Sequence, residues 1–297
     1  MTFKSSGQST DTVASNASVA PFIVLMTSLA MIAFAANSLL TRAAFQTTAI
    51  DAASFSGIRV ISGALTLLII FLAQGGKLKQ LKAQWWAAVF LFTYVAAFSF
   101  AYRDISTGAG ALILFASAQV LMISYGLRRG ERTSIFGLFV ALGGMIAFLA
   151  PSASAPPAYA AALMAVAGIA WGAFSVAGKA NESPLVKTAS SFLGAIPFAV
   201  VLVLYQHDHL RVDTTGAWYA VIAGGLTSAV GYAIWYWARV RMTTITAGAV
   251  QLSVPILSMV LGVLILSEDI TMLSGISALV TLSGVAWVSL TTKQKKL

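Results

Sequence analysis

The sequence predicts an all-α integral membrane protein whose ten transmembrane helices form two inverted repeats of five helices each. Three observations support this fold class: the composition, the spacing of the apolar segments, and a similarity between the two halves of the chain. Hydrophobic residues make up 59% of the 297 positions and charged residues only 9%, against about 25% charged residues in a typical soluble domain. A chain this apolar cannot cover its surface with polar groups, so most of that surface must face lipid.

The apolar segments are long enough to cross a membrane, and the short links between them carry nearly all of the charges. The ten predicted spans are 20–41, 54–73, 84–102, 108–126, 134–149, 158–178, 185–204, 217–238, 247–266 and 273–290.

The basic residues predict how these spans are oriented. With the N-terminus in the cytoplasm, fourteen of the eighteen lysines and arginines lie on the cytoplasmic side. They are Lys4, Lys77, Lys79, Lys82, Arg128, Arg129, Arg132, Lys179, Lys187, Arg239, Arg241, Lys293, Lys295 and Lys296. Basic residues accumulate in cytoplasmic loops. We therefore expect a multi-pass protein of the cell inner membrane with both termini in the cytoplasm.

An internal repeat relates the two halves at an offset of about 137–140 residues. The segment "IAFAANSLLTRA" aligns with "IAWGAFSVAGKA", and "GAGALILFAS" aligns with "TAGAVQLSVP". A third pair, "TYVAAF" and "GYAIWY", matches Tyr94 with Tyr232 and Phe98 with Tyr236. These alignments indicate that the two halves share one fold.

The second copy of this repeat must be upside down in the bilayer, because each half has an odd number of spans. The charges agree with the inversion, since the basic link "LRRGERT" has the acidic counterpart "LSEDIT". Inverted repeats are typical of secondary transporters, which bind their substrate between the halves near the middle of the membrane. The predicted divisions are a polar cytoplasmic tail (1–19), a first five-helix repeat (20–150), a second, inverted repeat (155–290) and a basic cytoplasmic tail (291–297).

Two of these segments carry a resemblance to a known family. With "IAWGAFSVAGK" opening the second half and "VPILSMVLGVLILSED" in the ninth span, the chain resembles the drug/metabolite transporter superfamily of the EamA type. The segment "GYAIW" is most similar to the aromatic amino acid exporter (YddG-like) branch. The resemblance extends from about residue 20 to the end of the last span, and it implies efflux of aromatic and other neutral amino acids. Where the family has a proline in both the fourth and ninth spans, only Pro255 is present here, which argues against a symmetrical opening of the halves.

Titratable side chains are missing from the middle of the predicted spans. Every aspartate and glutamate lies in a tail or a link, and His207 and His209 share the link after the seventh span. An enzyme, a metal centre or a proton pump would need such groups inside the membrane. We therefore expect no catalysis, no metal and no cofactor. Arg59 lies only about 8 Å into its span, which favours a side chain that extends to the interface or binds backbone carbonyls over one that binds a substrate carboxylate.

Aromatic residues within the spans are the main candidates for a substrate site. Tyr94 and Tyr232 are paired by the repeat, so they approach the middle of the membrane from opposite faces. Trp171 lies in the middle of its span, where the indole N–H needs a partner. These three residues are predicted to line a cavity, with core packing as the alternative. The remaining aromatic candidates are Phe98, Phe115 and Tyr236.

Uncharged polar residues are the second group of candidates. Asn37, Gln119, Gln251 and Ser117 lie within spans, where they either join neighbouring helices or contact the substrate. Gln251 is the best of them, because Pro255 four residues later crowds the Gln251 carbonyl and lacks the N–H that would bind it.

These features predict a transporter that exports amino acids or similar small metabolites by alternating access, as a facilitator or exchanger. Its expected partners are the solute and the lipid bilayer, without nucleic acid, and a monomer is expected. One alternative is an exporter of quaternary cations or other drugs, because aromatic faces attract cations, although a buried acid usually accompanies them. A channel is another alternative, although no ring of charged residues is evident. A membrane-embedded enzyme or scaffold is a third, and the inverted repeat argues against it.

Overall fold

The computed structural model describes residues 8–82, 84–149, 156–177, 183–268 and 272–292, and within these ranges the chain forms helices and no β-strand. The helices are α1 (Gln8–Thr47), α2 (Ala52–Ala73), α3 (Trp85–Ala101), α4 (Thr107–Arg128), α5 (Ile135–Leu149), α6 (Ala158–Val176), α7 (Pro184–Tyr205), α8 (Thr214–Arg239), α9 (Thr244–Leu266) and α10 (Met272–Thr291).

Most of these helices have the length and composition of membrane spans. Within the described ranges, seven are long and apolar enough to cross a bilayer: α1 from Pro21 onwards, α2, α4, α6, α7, α8 and α9. The protein is therefore a multi-pass α-helical membrane protein. Every predicted span lies on one of the helices. Ten crossings stay a prediction, because the apolar stretches of α3, α5 and α10 are shorter than a bilayer core usually requires.

The first helix begins earlier than the first predicted span. It starts at Gln8, inside the segment predicted as a polar tail, and its membrane-compatible part starts at Pro21. Residues 1–7 and 293–297 of the two predicted tails lie outside the described residues.

Two aspartates fix the ends of helices at the predicted outer side. The Asp51 carboxylate accepts hydrogen bonds from the Ala53 and Ser54 N–H groups and so caps α2. Asp213 caps α8 through the Gly216 N–H, and this bond is the main reason why the pKa of the Asp213 carboxyl lies below its usual range. Because that pKa is lowered, the cap is fully present at neutral pH and is lost only as the pH falls through the folded-state value.

The helices approach one another closely at small residues. A Cβ atom added at Gly168 of α6 would collide with the Leu114 carbonyl oxygen of α4. An atom added at Gly284 of α10 would likewise collide with the Ala141 backbone nitrogen of α5. Such backbone contact between helices is the usual role of glycine in membranes.

Two glutamates connect α4 and α9 reciprocally. Glu131, just after α4, accepts hydrogen bonds from the N–H groups of Thr244 and Ile245 at the start of α9, both at 2.8 Å. Glu268, just after α9, accepts bonds from the Thr107 N–H (3.1 Å) and hydroxyl (2.9 Å) at the start of α4. Each carboxylate therefore accepts hydrogen bonds from N–H groups at a helix start, which have no intrahelical acceptor. Each thereby fixes the start of one helix to the end of the other.

Removing the Glu131 cap should destabilise the protein. We expect Glu131→Ala to lower the free energy of unfolding by about 1–3 kcal/mol, because two buried backbone donors lose their acceptor. Thermal unfolding of the purified protein in detergent would measure this loss. The exposed Asp208→Ala change is the control and should leave the melting temperature unchanged. Equal melting of wild type and Glu131→Ala would contradict the assigned role.

Candidate functional site

The buried aromatic side chains meet around Trp171, in the middle of α6. Its ring lies 5.1 Å from Phe34 of α1, 5.2 Å from Tyr94 of α3 and 4.8 Å from Tyr232 of α8, measured between ring centroids. All four side chains are buried. Tilted and edge-to-face aromatic pairs contribute about 0.5–1.5 kcal/mol each beyond the buried area. Trp171 therefore connects α6 to three other helices.

An irregular stretch of α8 shapes this region. Residues Ala223–Val230 wind as a π-helix, a geometry that is frequent at functional sites. A Cβ atom added at Gly224 would collide with the Arg59 carbonyl oxygen of α2. The absence of a side chain at Gly224 therefore lets α8 approach α2 closely, which brings Ser228 and Tyr232 next to Arg59.

A small cavity lies within the aromatic cluster. Its walls come from α1, α3, α4, α6 and α8, and the lining residues are Phe34, Asn37, Ser38, Tyr94, Phe98, Leu114, Phe115, Trp171 and Tyr232. The space between these side chains has room for about one water molecule. A metabolite-sized solute would therefore require the walls to move apart.

The indole N–H of Trp171 has the partner that the sequence left open. It donates a hydrogen bond to the Gln251 side-chain oxygen of α9 at 2.5 Å. The Gln251 amide nitrogen is also engaged, by the Ala247 carbonyl oxygen at 3.2 Å and the Met122 sulfur at 3.3 Å. Gln251 thus orients the Trp171 ring through this hydrogen bond, and Gln251 itself does not line the cavity.

Arg59 lies at the centre of the bundle and does not reach the interface. Its side chain is fully buried, so the expectation based on its depth along α2 was wrong. One terminal nitrogen, Nη2, donates to the hydroxyl oxygens of Tyr94 (3.0 Å) and Tyr232 (2.9 Å), and Nε donates to the Ser228 hydroxyl (3.1 Å). Depth along a helix says nothing about which side of the helix a residue occupies, and Arg59 occupies the inner side.

The charge of Arg59 has no acidic partner among the described residues. The ion pairs found there are Arg42 with Glu268 (4.0 Å) and the exposed His207 with Asp208 (3.1 Å). The second terminal nitrogen of Arg59, Nη1, is buried, and no described residue offers it a hydrogen-bond acceptor. A buried guanidinium held by neutral oxygens alone is costly.

Asn37 completes the polar cluster around Arg59. Its amide nitrogen donates to the Tyr94 hydroxyl oxygen at 3.2 Å. Its side-chain oxygen accepts hydrogen bonds from the hydroxyls of Thr227 (3.2 Å) and Ser228 (3.4 Å) on α8. The hydroxyl of Tyr232 in turn donates to that of Tyr94 at 3.0 Å. The cluster therefore joins α1, α2 and α3 to α8.

Six of the ten predicted site residues line the cavity: Asn37, Tyr94, Phe98, Phe115, Trp171 and Tyr232. Whether they bind a solute stays a prediction. The four others do not line the cavity. One of them, Gln251, is hydrogen-bonded to the wall residue Trp171.

Three predicted residues lie farther from the cavity. Tyr236 donates a hydrogen bond from its hydroxyl to the Phe174 carbonyl oxygen, and its ring meets the Phe174 ring edge to face. Gln119 is buried without a hydrogen bond to any described residue. Ser117 is half-buried on α4, close enough to Gly168 that an added Cβ atom there would meet its side chain.

Four residues were missing from the predicted set. Arg59 was considered and then assigned to the interface, while Phe34, Ser38 and Leu114 were not considered. Phe34 was detectable, because the alignment of "IAFAANSLLTRA" with "IAWGAFSVAGKA" places it opposite Trp171.

A wider cleft opens elsewhere in the protein. It involves the α1–α2 link, the α7–α8 link and two residues at the end of α3, with Asp51, Arg103, Asp208, His209 and Arg211 among its walls. The Arg211 N–H donates to the Asp51 carboxylate at 2.7 Å, so the two links are bound to each other. The cleft is open and lined mainly by link residues, whereas the aromatic cavity is enclosed by helices.

Known proteins resemble the chain in sequence and in fold. Residues 158–290 match the model of the EamA-like transporter family. An uncharacterized protein of Pseudomonas aeruginosa is 43% identical over 268 residues, which cover 89% of this chain and 93% of that protein. An uncharacterized transporter of Archaeoglobus fulgidus is 24% identical over 65% of this chain and 71% of its own. One protein of known crystal structure superposes with a TM-score of 0.71 at 19% identity, covering 90% of this chain and 97% of its own, and so shares the fold.

The close contact at Gly224 can be tested by substitution. We expect Gly224→Ala to destabilise the protein by about 1–3 kcal/mol, because the added methyl group forces α8 away from the α2 backbone. Gly143→Ala is the matched control, since no atom lies within 4 Å of the added methyl group. Thermal unfolding in detergent would compare the two variants. Similar melting temperatures for both would contradict the tight packing of α8 on α2.

Proposed function

Because the chain belongs to the EamA-like transporter family, within the drug/metabolite transporter superfamily, we propose that it exports amino acids, aromatic and other neutral ones, or similar small metabolites across the inner membrane. The observation that carries this proposal is the enclosed cavity whose aromatic walls meet at Trp171. Apolar walls with a few polar groups are typical of sites for small organic solutes. The resemblance of "GYAIW" to the aromatic amino acid exporter branch supports amino acids as the solute.

We propose ten membrane crossings in two inverted repeats as the architecture of this transporter. The helix packing supports it, since the contact of α4 with α6 has a counterpart in α9 with α1, and that of α2 with α8 has one in α7 with α3. The reciprocal caps support it too. The cap that Glu131 places on the start of α9 and the cap that Glu268 places on the start of α4 are equivalent contacts, one made by each half.

Alternating access would occur by movement of one half against the other. The cavity has room for about one water molecule, so the conformation described here is closed around its centre. The bonds that Tyr232 of the second half makes with the first half, accepting from Arg59 and donating to Tyr94, would break when the cavity opens. A solute that replaces these bonds would offset the cost of opening.

A facilitator or exchanger fits this site better than a proton-coupled pump. The cavity walls are aromatic, aliphatic and neutral polar residues, and none of them is a carboxylate or a histidine. Accumulation of solute driven by a pH gradient alone would contradict this part of the proposal.

The main alternative is an exporter of quaternary cations or other drugs of the same superfamily. Aromatic faces such as those of Trp171 and Tyr232 attract cations. The buried positive charge of Arg59 beside them repels cations, which favours amino acids. A channel is a further alternative, which the closed cavity disfavours.

Exchange of amino acids in proteoliposomes tests the proposal. With unlabelled amino acid inside, we expect saturable uptake of labelled phenylalanine, tryptophan, methionine or threonine. Trp171→Phe should lower this exchange about tenfold, because it removes the hydrogen bond to Gln251 that positions the ring.

Trp86→Phe is the control for this experiment, since Trp86 is 77% exposed, and it should exchange like the wild type. Unchanged exchange in both Trp171→Phe and Trp171→Ala would remove Trp171 from the site. No exchange of any amino acid by the wild type would overturn the amino acid proposal.

The proposed topology can be tested directly, because the chain contains no cysteine. Single substitutions Lys79→Cys and Leu210→Cys place thiols in two links predicted to lie on opposite sides of the membrane. In intact spheroplasts a membrane-impermeant maleimide should label Leu210→Cys and should label Lys79→Cys only after permeabilisation. The reverse pattern would invert the orientation, and labelling of both in intact spheroplasts would contradict the assigned spans.

A further inference from the structure

We infer that the site recognises the carboxylate of its solute through Arg59, and that an α-amino group is not required. This inference rests on the proposed function and deepens it, since it names the substrate class as apolar or aromatic carboxylates, amino acids among them. It follows from the charge, the hydrogen-bond groups and the position of the Arg59 cluster.

The charge of the cluster is unbalanced. Arg59 is fully buried, and its described neighbours supply only hydroxyl oxygens and aromatic rings. The guanidinium lies 4.9 Å from the Phe98 ring centroid and 5.3 Å from that of Tyr94. A buried charge without a counter-charge is unfavourable, and the carboxylate of a solute would supply the missing one.

The cluster also has more hydrogen-bond donors than acceptors. The Tyr94 hydroxyl oxygen receives hydrogen bonds from Arg59, Asn37 and Tyr232, three donors for an oxygen with two lone pairs. The Nη1 atom of Arg59 has no acceptor among the described residues. A carboxylate offers about four lone-pair positions in a planar arrangement that matches the guanidinium, so it would satisfy the groups that the closed site leaves unsatisfied.

The position of the cluster connects it to the cavity. Tyr94, Phe98 and Tyr232 line the cavity on one side and contact Arg59 on the other. Tyr94 and Tyr232 come from different halves of the chain, so separation of the halves would part these two side chains. The guanidinium would then face the opened cavity, while Trp171 and Phe34 remain to contact the apolar part of the solute.

The cavity provides little for an ammonium group. No carboxylate lines it, and the Gln251 side-chain oxygen already accepts the Trp171 N–H. The Asn37 oxygen lies within hydrogen-bond distance of the Ser228 hydroxyl and of the Thr227 hydroxyl, whose hydrogen it shares with the Ala223 carbonyl. Aromatic faces are therefore the remaining contact for an amino group, and they lie near a fixed positive charge. An amino group should add little affinity, and a cation without a carboxylate should be rejected.

Three solutes with the same phenyl ring separate these contributions: phenylalanine, 3-phenylpropionate and phenethylamine. Each would compete with exchange of labelled phenylalanine in proteoliposomes of the wild-type protein. We expect 3-phenylpropionate to compete within about tenfold of phenylalanine, and phenethylamine to compete at least about a hundredfold more weakly. Competition by phenethylamine as strong as by phenylalanine would overturn the inference and leave the proposed function intact.

Variants of Arg59 then test the residue itself. Arg59→Gln should weaken phenylalanine and 3-phenylpropionate by at least about tenfold and reduce the discrimination against phenethylamine. Arg59→Lys keeps the charge and should retain part of the affinity for the two carboxylates and part of the discrimination against phenethylamine. Arg211→Gln is the matched control, because it makes the same change at an exposed link residue outside the cluster, and it should preserve the order of the three solutes. An unchanged order in a folded Arg59→Gln protein would overturn the assignment.

Direct binding separates a failure of this inference from a failure of the proposed function. If no amino acid is exchanged, quenching of tryptophan fluorescence in the purified wild-type protein still compares 3-phenylpropionate with phenethylamine. Saturable binding of 3-phenylpropionate alone would support a carboxylate site in a protein that does not export amino acids. Equal binding of both, or binding of phenethylamine alone, would overturn the inference.

Discussion

The guanidinium of Arg59 is buried where α2, α3 and α8 meet, and neutral oxygen atoms alone hold it there. This charge imposes the arrangement around it. Tyr94 and Tyr232 must turn their hydroxyls inward to solvate it, which places their rings in the cavity wall. The π-helical stretch of α8 and the missing side chain at Gly224 allow the close approach that this solvation requires. The π-helical stretch of α8 and the polar cluster at the centre of the bundle therefore serve the same need, which is to provide hydrogen-bond acceptors for a charge buried within the membrane.

The same need explains the two glutamate caps. In a membrane protein the free N–H groups at a helix start have little water to bind, so an acceptor must come from another part of the chain. Glu131 and Glu268 supply that acceptor across the bundle, each from the link behind one helix to the start of the other. Whereas the Arg59 cluster concentrates positive charge at the centre, the carboxylates stay near the helix ends. The centre of the bundle is thereby left with hydrogen-bond donors in excess.

The sequence was informative where the membrane or the repeat constrains it. Hydropathy placed each predicted span on a helix of the described residues, because burial in lipid demands long apolar segments. The repeat predicted that Tyr94 and Tyr232 approach each other near the middle of the membrane, and their hydroxyls lie 3.0 Å apart. The same alignment pairs Phe34 with Trp171 and could have added Phe34 to the candidates. The sequence was misleading for Arg59, because position along a helix gives only the depth in the membrane. The packing of α8 on α2 decides which side of α2 is buried. The sequence also failed to show that Gln251 binds Trp171, since which of several neighbouring helices supplies a partner depends on tertiary packing.

The closed cavity and the unbalanced charge are two aspects of one arrangement. In the closed form, the Tyr94 hydroxyl oxygen accepts three donors and so takes the place that an anionic acceptor would fill better. Neutral oxygens bind a guanidinium more weakly than a carboxylate does, because a carboxylate adds an opposite charge and can accept two parallel hydrogen bonds from the guanidinium. The closed form leaves room for only about one water molecule at the centre of the bundle, and a carboxylate that enters would replace its contacts with stronger ones. A solute without an acidic group offers no such replacement, so the cluster that closes the cavity would also select the solute that opens it.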